Sequence, residues 1–367
     1  MGITYTYLVA DLRTGTIIDE LPLTGVSFDK KLNDVGSFRG ALHMTDPAIR
    51  DREPRLLTEP GRTAIYVNRD GELLWGGIIW TTRYVASSGV LEIGAADFLS
   101  YFEHRFVLHP DLTSPVSYTN VDQIVIARRV LEIAQSHEGG NMDLTFIGTQ
   151  SSPVTRTVRY GPSELKPVAE LLRDLANADD GFDFTFDVRY DTSGEPERLV
   201  RFGHPRIGQP GEPHVWEHGA NLIDFTWPRD AASMVTRLIA QGTADDNAPL
   251  MSVASDNVAH QAGWPLLEDA SQVDTKTVAE LAAHARGALA ARRRPVVLPE
   301  LTVRADLDPV VGTYSVGDDV RIIIDDPFFA DEQLDVTMRL VGYEVVPGDD
   351  AGQEEVTLTV ASILEPL

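Results

Sequence analysis

The 367 residues carry 56 acidic and 31 basic side chains, a formal net charge of −25 at pH 7. Phosphate-gripping surfaces are built from clustered Lys and Arg, so this composition excludes a broad nucleic-acid binder and, on the same ground, stable binding to an anionic membrane. The absence of cysteine removes disulfides, thiolate metal sites, iron–sulfur clusters and a thiol nucleophile.

Length predicts two or three domains. The longest apolar stretch, Leu73 to Trp80, is far shorter than the roughly 20 residues that span a bilayer. Met1 to Thr6 lacks the basic and apolar regions of a secretory signal. Gly2 with Thr6 fits a loose myristoylation pattern, but alternating Ile3, Tyr5 and Tyr7 read as a first strand.

Residues 1–100 read as a β-domain of short strands: Ile3 to Val9, Thr16 to Ile18, Val26 to Phe28 and Phe38 to Met44. Asp46 to Pro60, with three prolines, reads as a loop. The clearest hairpin has arms Ala64–Val67 and Leu73–Tyr84 around Asn68-Arg69-Asp70-Gly71. Gly76-Gly77 interrupts the second arm between Trp75 and Trp80, and adjacent glycines there predict a bend or a close backbone approach. Val90 to Ile93 closes the domain.

In the middle third, Asn120 is the expected cap of a helix over 121–135, with Gln123 completing a capping box. A second helix follows Pro167 over 168–178 and stops at Asp179-Asp180-Gly181. Phe182, Phe184 and Phe186 then alternate as a strand, with a return arm at Leu199–Phe202. Gly203 to Pro213 is the best linker candidate. In the last third, strands are expected at 222–227, 235–242, 251–254, 301–305, 320–324, 336–345 and 355–363. Thr277, with Glu280 at the capping-box position, starts a helix that ends at Arg292-Arg293-Arg294 before Pro295.

The search for chemistry yields no catalytic, cofactor-binding or metal residues. There is no G-x-S-x-G elbow, Walker loop, G-x-G-x-x-G, H-E-x-x-H or EF-hand loop. His104 and His109 lack an evident third metal ligand. The acid pairs 179–180, 245–246, 318–319, 325–326 and 349–350, all but 245–246 directly beside Gly or Pro, read as turn residues rather than a glycosidase pair. Arg292–Arg294 reads as a helix end rather than a phosphate patch. Of Trp75 and Trp80, one is expected in the core and the other at an interface.

From Leu57 to Tyr84 the chain resembles a known family. Pro60-Gly61-Arg62, Ile65-Tyr66-Val67, Arg69-Asp70-Gly71 and Leu74-Trp75-Gly76-Gly77-Ile78-Ile79 are similar to hub-type minor tail proteins of long-tailed phages (siphophages) that infect actinobacteria. These are relatives of the baseplate hub of contractile tails and of the N-terminal part of tail-associated lysins. Val168 to Phe186 fits the same family, as do Gly312, Tyr314, Gly317-Asp318 and Val320 after the helix at 277–294.

The resemblance implies a β-rich α+β fold with two tail-tube-like β-barrel domains flanking a smaller α+β region. The first barrel would span 1–110, completed by strands after 220. The α+β region would span 111–215, and the second barrel 216–367 with one helix at about 277–294. It implies a homotrimeric, pseudo-sixfold ring at the tail tip that adapts a sixfold tube to a threefold tip and passes DNA. The implied neighbours are the distal tail protein ring, the C-terminus of the tape measure protein, and tip or fibre proteins. No cofactor and no enzymatic activity are implied. An end at Leu367 leaves no room for an appended peptidase, lysozyme or fibre domain. The charge acquires a role in this reading: an acidic lumen repels DNA in transit. Two other readings are a receptor- or carbohydrate-binding tip protein anchored by exposed Trp216 and Trp264, and a tail-borne cell-wall hydrolase.

Overall fold

Alternating apolar and polar residues at the N-terminus place one side of each strand in a core, and the first strands pair accordingly. A computed structural model describes residues 3–178, 180–243, 249–273, 278–294, 297–329, 333–348 and 354–363. Strand exceeds helix, 45% against 16%, so the chain is β-rich, as its alternation implies. It divides into two units, Met1–Phe225 with Leu301–Leu367, and Thr226–Glu300.

In the larger unit, β1 (Tyr5–Asp11) lies between β2 (Ile17–Glu20) and β5 (Thr63–Arg69), and β3 (Thr24–Lys31) pairs with β4 (Ser37–His43). The proline-rich stretch expected as a loop contains two single-turn helices, α1 (Pro47–Arg50) and α2 (Pro54–Leu57). Strand β5 turns into β6 (Glu72–Val85) through two residues, Asp70 and Gly71, both with positive φ. That conformation matches the twist of the flanking strands, which is why an Asp-Gly pair closes the hairpin. β7 (Val90–Asp97) returns between β6 and β4.

The glycine pair in β6 performs two tasks. A Cβ on Gly76 would lie 2.7 Å from both Tyr66 and Val188, so the missing side chain admits another strand against this face. A Cβ on Gly77 would lie 2.2 Å from the Ala96 carbonyl and 2.5 Å from the Trp75 ring. Trp80 lies five residues after Trp75, an odd spacing that puts the two rings on opposite sides of the strand, and the register slips between Ile79 and Thr81. Trp75 is buried and donates to the Asp29 carbonyl at 2.9 Å; Trp80 is half-buried and donates to Ser100 Oγ at 2.8 Å.

The α+β region follows: β8 (Val116–Asp122), α3 (Gln123–Ser136), β9 (Leu144–Gly148), β10 (Thr155–Tyr160), α4 (Val168–Ala176), β11 (Asp183–Tyr190) and β12 (Pro196–Gly203). The α3 cap is Asp122 rather than Asn120, its carboxylate accepting from the Ile124 and Val125 amides. Asn120 has positive φ and lies inside β8, so the cap falls two residues later. Ile124, Ala127, Leu131 and Ala134 form the buried stripe of α3, and Val168, Leu171, Leu172 and Leu175 that of α4. Both stripes share a core with Tyr66, Ile78, Phe98 and Phe102 of the first β-region, and with Phe182, Phe184 and Phe202.

Strands β13 (His214–Glu217), β14 (Leu222–Thr226), β18 (Glu300–Arg304), β19 (Asp319–Ile324), β20 (Leu334–Val346) and β21 (Glu355–Ser362) join the N-terminal strands. The 13-stranded sheet runs β14-β18-β21-β20-β3-β4-β7-β6-β5-β1-β2, with β19 also on β20 and β13 on β19. The ends of the chain meet where Tyr343 pairs with Lys30 and Val345 with Phe28. Among the described residues no ladder joins β2 to β14.

The smaller unit holds β15 (Arg237–Thr243), β16 (Pro249–Ser255), α5 (Asn257–Gln261), β17 (Glu268–Gln272) and α6 (Val278–Arg292). Leu281, Ala285 and Leu289 of α6 pack on Leu238, Ala240 and Ala254. The expected cap at Thr277 and Pro295 beyond the helix lie outside the described residues, and nothing is described of the Glu280 side chain.

Candidate functional site

The structure disperses the residues that sequence chemistry singled out. His104 is exposed, its ring 4.8 Å from that of Trp80, and exposed His109 lies 3.1 Å from Asp111. Among the described residues no group of three or more His, Asp or Glu could hold a metal ion. Asp325 and Asp326 lead from β19 into a short 3-10 helix, Pro327–Phe329, with Asp326 accepting from the Phe328 amide. Asp179 and the pairs 245–246 and 349–350 lie outside the described residues. Arg292 donates to the Ser233 carbonyl and to Asp269, and Arg294 lies 3.3 Å from Asp256, so these two cations serve their own unit. Trp216, expected as an exposed anchor, is fully buried edge-on against Tyr314, because it faces the core side of β13. Trp264 is half-buried.

Asp318, whose amide closes a turn on the Ser315 carbonyl, and Asp319, the first residue of β19, are both buried and form an anchor. Asp319 accepts two bonds from the Arg206 guanidinium, at 2.7 and 3.1 Å, and one from the Gly211 amide. Asp318 accepts from the amides of Gln209 and Ser315. A Cβ on Gly208 would lie 2.1 Å from the Gly317 carbonyl. Residues 203–213, expected as a linker, are therefore packed into the larger unit. Their glycine content serves close approach rather than freedom. Asp183 completes the clamp, accepting from Arg339, Asn33 Nδ2 and the Ile207 amide.

Two half-buried ionic groups also join distant strands. Tyr5, Arg69 and Glu354 form one, bringing together β1, β5 and the start of β21. Burial and the Glu354 carboxylate raise the Tyr5 hydroxyl far above its usual range. In the other, Lys30 of β3 meets Asp187 of β11 at 2.6 Å. Burial opposes both charges, but each partner's field prevails: the ammonium is raised and the carboxylate lowered to about 2.

Asp97 is the exception. Burial outweighs its bonds from the Gly36 and Leu99 amides and the nearby Lys30 charge, and pushes its carboxyl up to about 7. A carboxyl raised in the folded state stabilises fully below its unfolded value near 4, and that contribution is lost as pH rises toward 7. The stability of Asp97→Asn relative to the unaltered chain is therefore expected to rise between pH 4 and pH 7 in urea unfolding. A difference independent of pH contradicts the assignment.

For a β-rich chain the exposed sheet edges are the sites of contact. β2 is guarded by Arg52, which donates to the Glu20 carbonyl and to Asp19. β13 carries a closer guard. Asn221 Nδ2 donates to the Val215 carbonyl at 2.9 Å, and its Oδ1 accepts from the Glu217 amide at 2.8 Å. A residue of a parallel neighbouring strand would take the same two groups on either side of Trp216. The Asn221 carboxamide thus occupies one position of a missing strand. Beside it lies a pocket of about 610 Å³ lined by Val215, Glu217, Asn221, Leu307 and Asp308. Asn221→Ala is expected to expose this edge and to cost about 1 kcal/mol for the lost bonds. Concentration-dependent aggregation detected by light scattering checks it; unchanged solubility and stability contradict it.

With this geometry, the whole chain can be compared with solved structures. A tail protein from Neisseria meningitidis superposes with a TM-score of 0.64 at 14% identity, over 98% of this chain and 96% of that one. The 43 kDa tail protein of prophage MuSo2 from Shewanella oneidensis gives 0.61 at 16% identity, over 98% of both chains. The chain shares its fold with phage tail proteins. Prophage tail protein gp18 from Listeria monocytogenes gives 0.54 at 13% identity, over 96% of this chain and 94% of that one. No protein-family model and no curated protein sequence matches the chain. Sequence reasoning missed Asp183 and Arg339, whose partners lie too far along the chain to leave a local signal, and Asn221, whose edge bonds reach back only four and six residues.

Proposed function

We propose that the chain is a structural, non-enzymatic component of a phage tail, acting as the hub at the tail tip. The supporting observation is end-to-end agreement, in both directions, with tail proteins of similar length. In this reading three copies form a pseudo-sixfold ring that adapts a sixfold tube to a threefold tip. Each copy contributes two tube-like barrel domains, around 1–110 and 216–367, on either side of the α+β region 111–215. The ring contacts the distal tail ring above and tip or fibre proteins below, admits the tape measure C-terminus, and passes DNA without binding it. The resemblance of residues 57–84 to hub proteins of siphophages of actinobacteria supports the finer assignment.

Charge supports the channel role, since an acidic wall repels the DNA backbone and lets it slide. Burial of Trp216 removes one of the two anchors of a carbohydrate-binding reading. Size-exclusion chromatography with light scattering tests the hub assignment: three copies are expected, and a stable monomer at high concentration contradicts it.

A further inference from the structure

Charge is divided unequally between the two units. Residues 226–300 carry seven basic and nine acidic side chains, a net of −2, which leaves −23 on the rest of the chain. Copies that must touch meet the least repulsion through the smaller unit.

That unit has a three-stranded sheet in the order β16-β15-β17, so β16 and β17 are both edges. Helix α6 covers one face, where Leu238, Ala240 and Ala254 lie. On the other face Met251 and Val253 of β16 are 48% and 54% exposed. β16 contains no charged residue, whereas β2 and β13 carry the guards described above and β14 carries Asp224. β9 is also uncharged, but it is half-buried over most of its length. A seven-residue uncharged edge is a template for strand addition. On the opposite edge, the acids of β17 are already paired: Glu268 with Arg237 at 3.2 Å and Asp269 with Arg292 at 2.6 Å. What remains of β17 is Ala270, Ser271 and Gln272, all neutral.

We propose that the β16 edge of one copy pairs with the β17 edge of the next, joining the sheets of neighbouring copies head to tail. The proposal rests on the ring reading above. β16 runs antiparallel to β15 and β15 parallel to β17, so in a cyclic ring of like-oriented copies the new ladder is antiparallel. Pairing β16 with a second β16 would instead make a closed two-fold dimer, which a ring of three cannot contain.

The absence of native cysteine makes the test direct. Val253 and Ala270 both pair with Ile239, on opposite sides of β15, so they stand two strand spacings apart. That separation of roughly 9–10 Å is too wide for a disulfide within one chain. Full-length chains carrying one cysteine in β16 (Met251→Cys or Val253→Cys) and one in β17 (Ala270→Cys or Gln272→Cys) are oxidised mildly, and light scattering is run in parallel. The expected result is a covalent ladder ending at three copies for at least one combination, while single-cysteine chains stay uncrosslinked. Assembly into trimers with no ladder overturns the edge pairing and leaves the ring reading standing. Cross-linked dimers of Val253→Cys alone overturn it in favour of a two-fold contact. Monomers throughout overturn both.

Discussion

Asp183→Ala is expected to destabilise the chain by roughly 3–5 kcal/mol, because it leaves the Arg339 guanidinium, its side chain 16% exposed, without its counter-charge. Asp183 is 7% exposed and receives Arg339 of β20, the Ile207 amide and the Asn33 side chain. It thus ties the last third of the sheet, the 203–213 segment and the turn after β3 to β11. Arg339 also donates to the Ile207 and Gly317 carbonyls, so its removal from register loosens the same segment. A lowered midpoint in denaturant checks the energetic part. Limited proteolysis checks the location: trypsin should cut after Arg206 in Asp183→Ala and not in the unaltered chain. A midpoint within error of the unaltered chain contradicts the clamp.

Gly77→Val is expected to cost about 3 kcal/mol or more, the upper range for overpacking, because the obstruction is backbone. The new Cβ would meet the Ala96 carbonyl at 2.2 Å and the Trp75 ring at 2.5 Å, and the carbonyl cannot yield without breaking the β6–β7 ladder. Gly287→Ala in α6 is the matched control. It meets nothing within 4 Å, and a helical Gly→Ala change adds about 0.5–1 kcal/mol. Thermal or denaturant unfolding of the two variants should move in opposite directions. Equal, small effects would mean that β6 and β7 are not packed as described.

Local order was legible where it depended on neighbours in sequence. Asp70-Gly71 closes its hairpin, the strands near 301, 320, 336 and 355 stand where alternation places them, and α3 and α4 bury their apolar stripes. The shift of the α3 cap to Asp122 is the limit of such reading, since Asn and Asp cap almost equally well. Long-range pairing was beyond it. Nothing in the composition of 334–346 names β3 as its neighbour, yet that ladder joins the two ends of the chain. Gly203–Pro213 was misread because glycine signals close backbone approach as readily as looseness, and the carbonyl that decides it belongs to Gly317. Trp216 was misplaced because a four-residue strand is too short for alternation to tell which side faces the core.

In the proposed hub reading, three copies would bring about −75 to one assembly, and the lumen is where repulsion of DNA would have a use. An electron-microscopic reconstruction of the assembled protein tests this most directly. The account predicts three copies around an axial channel whose wall carries acidic side chains; a monomer, or a ring whose lumen is neutral or basic, would contradict it.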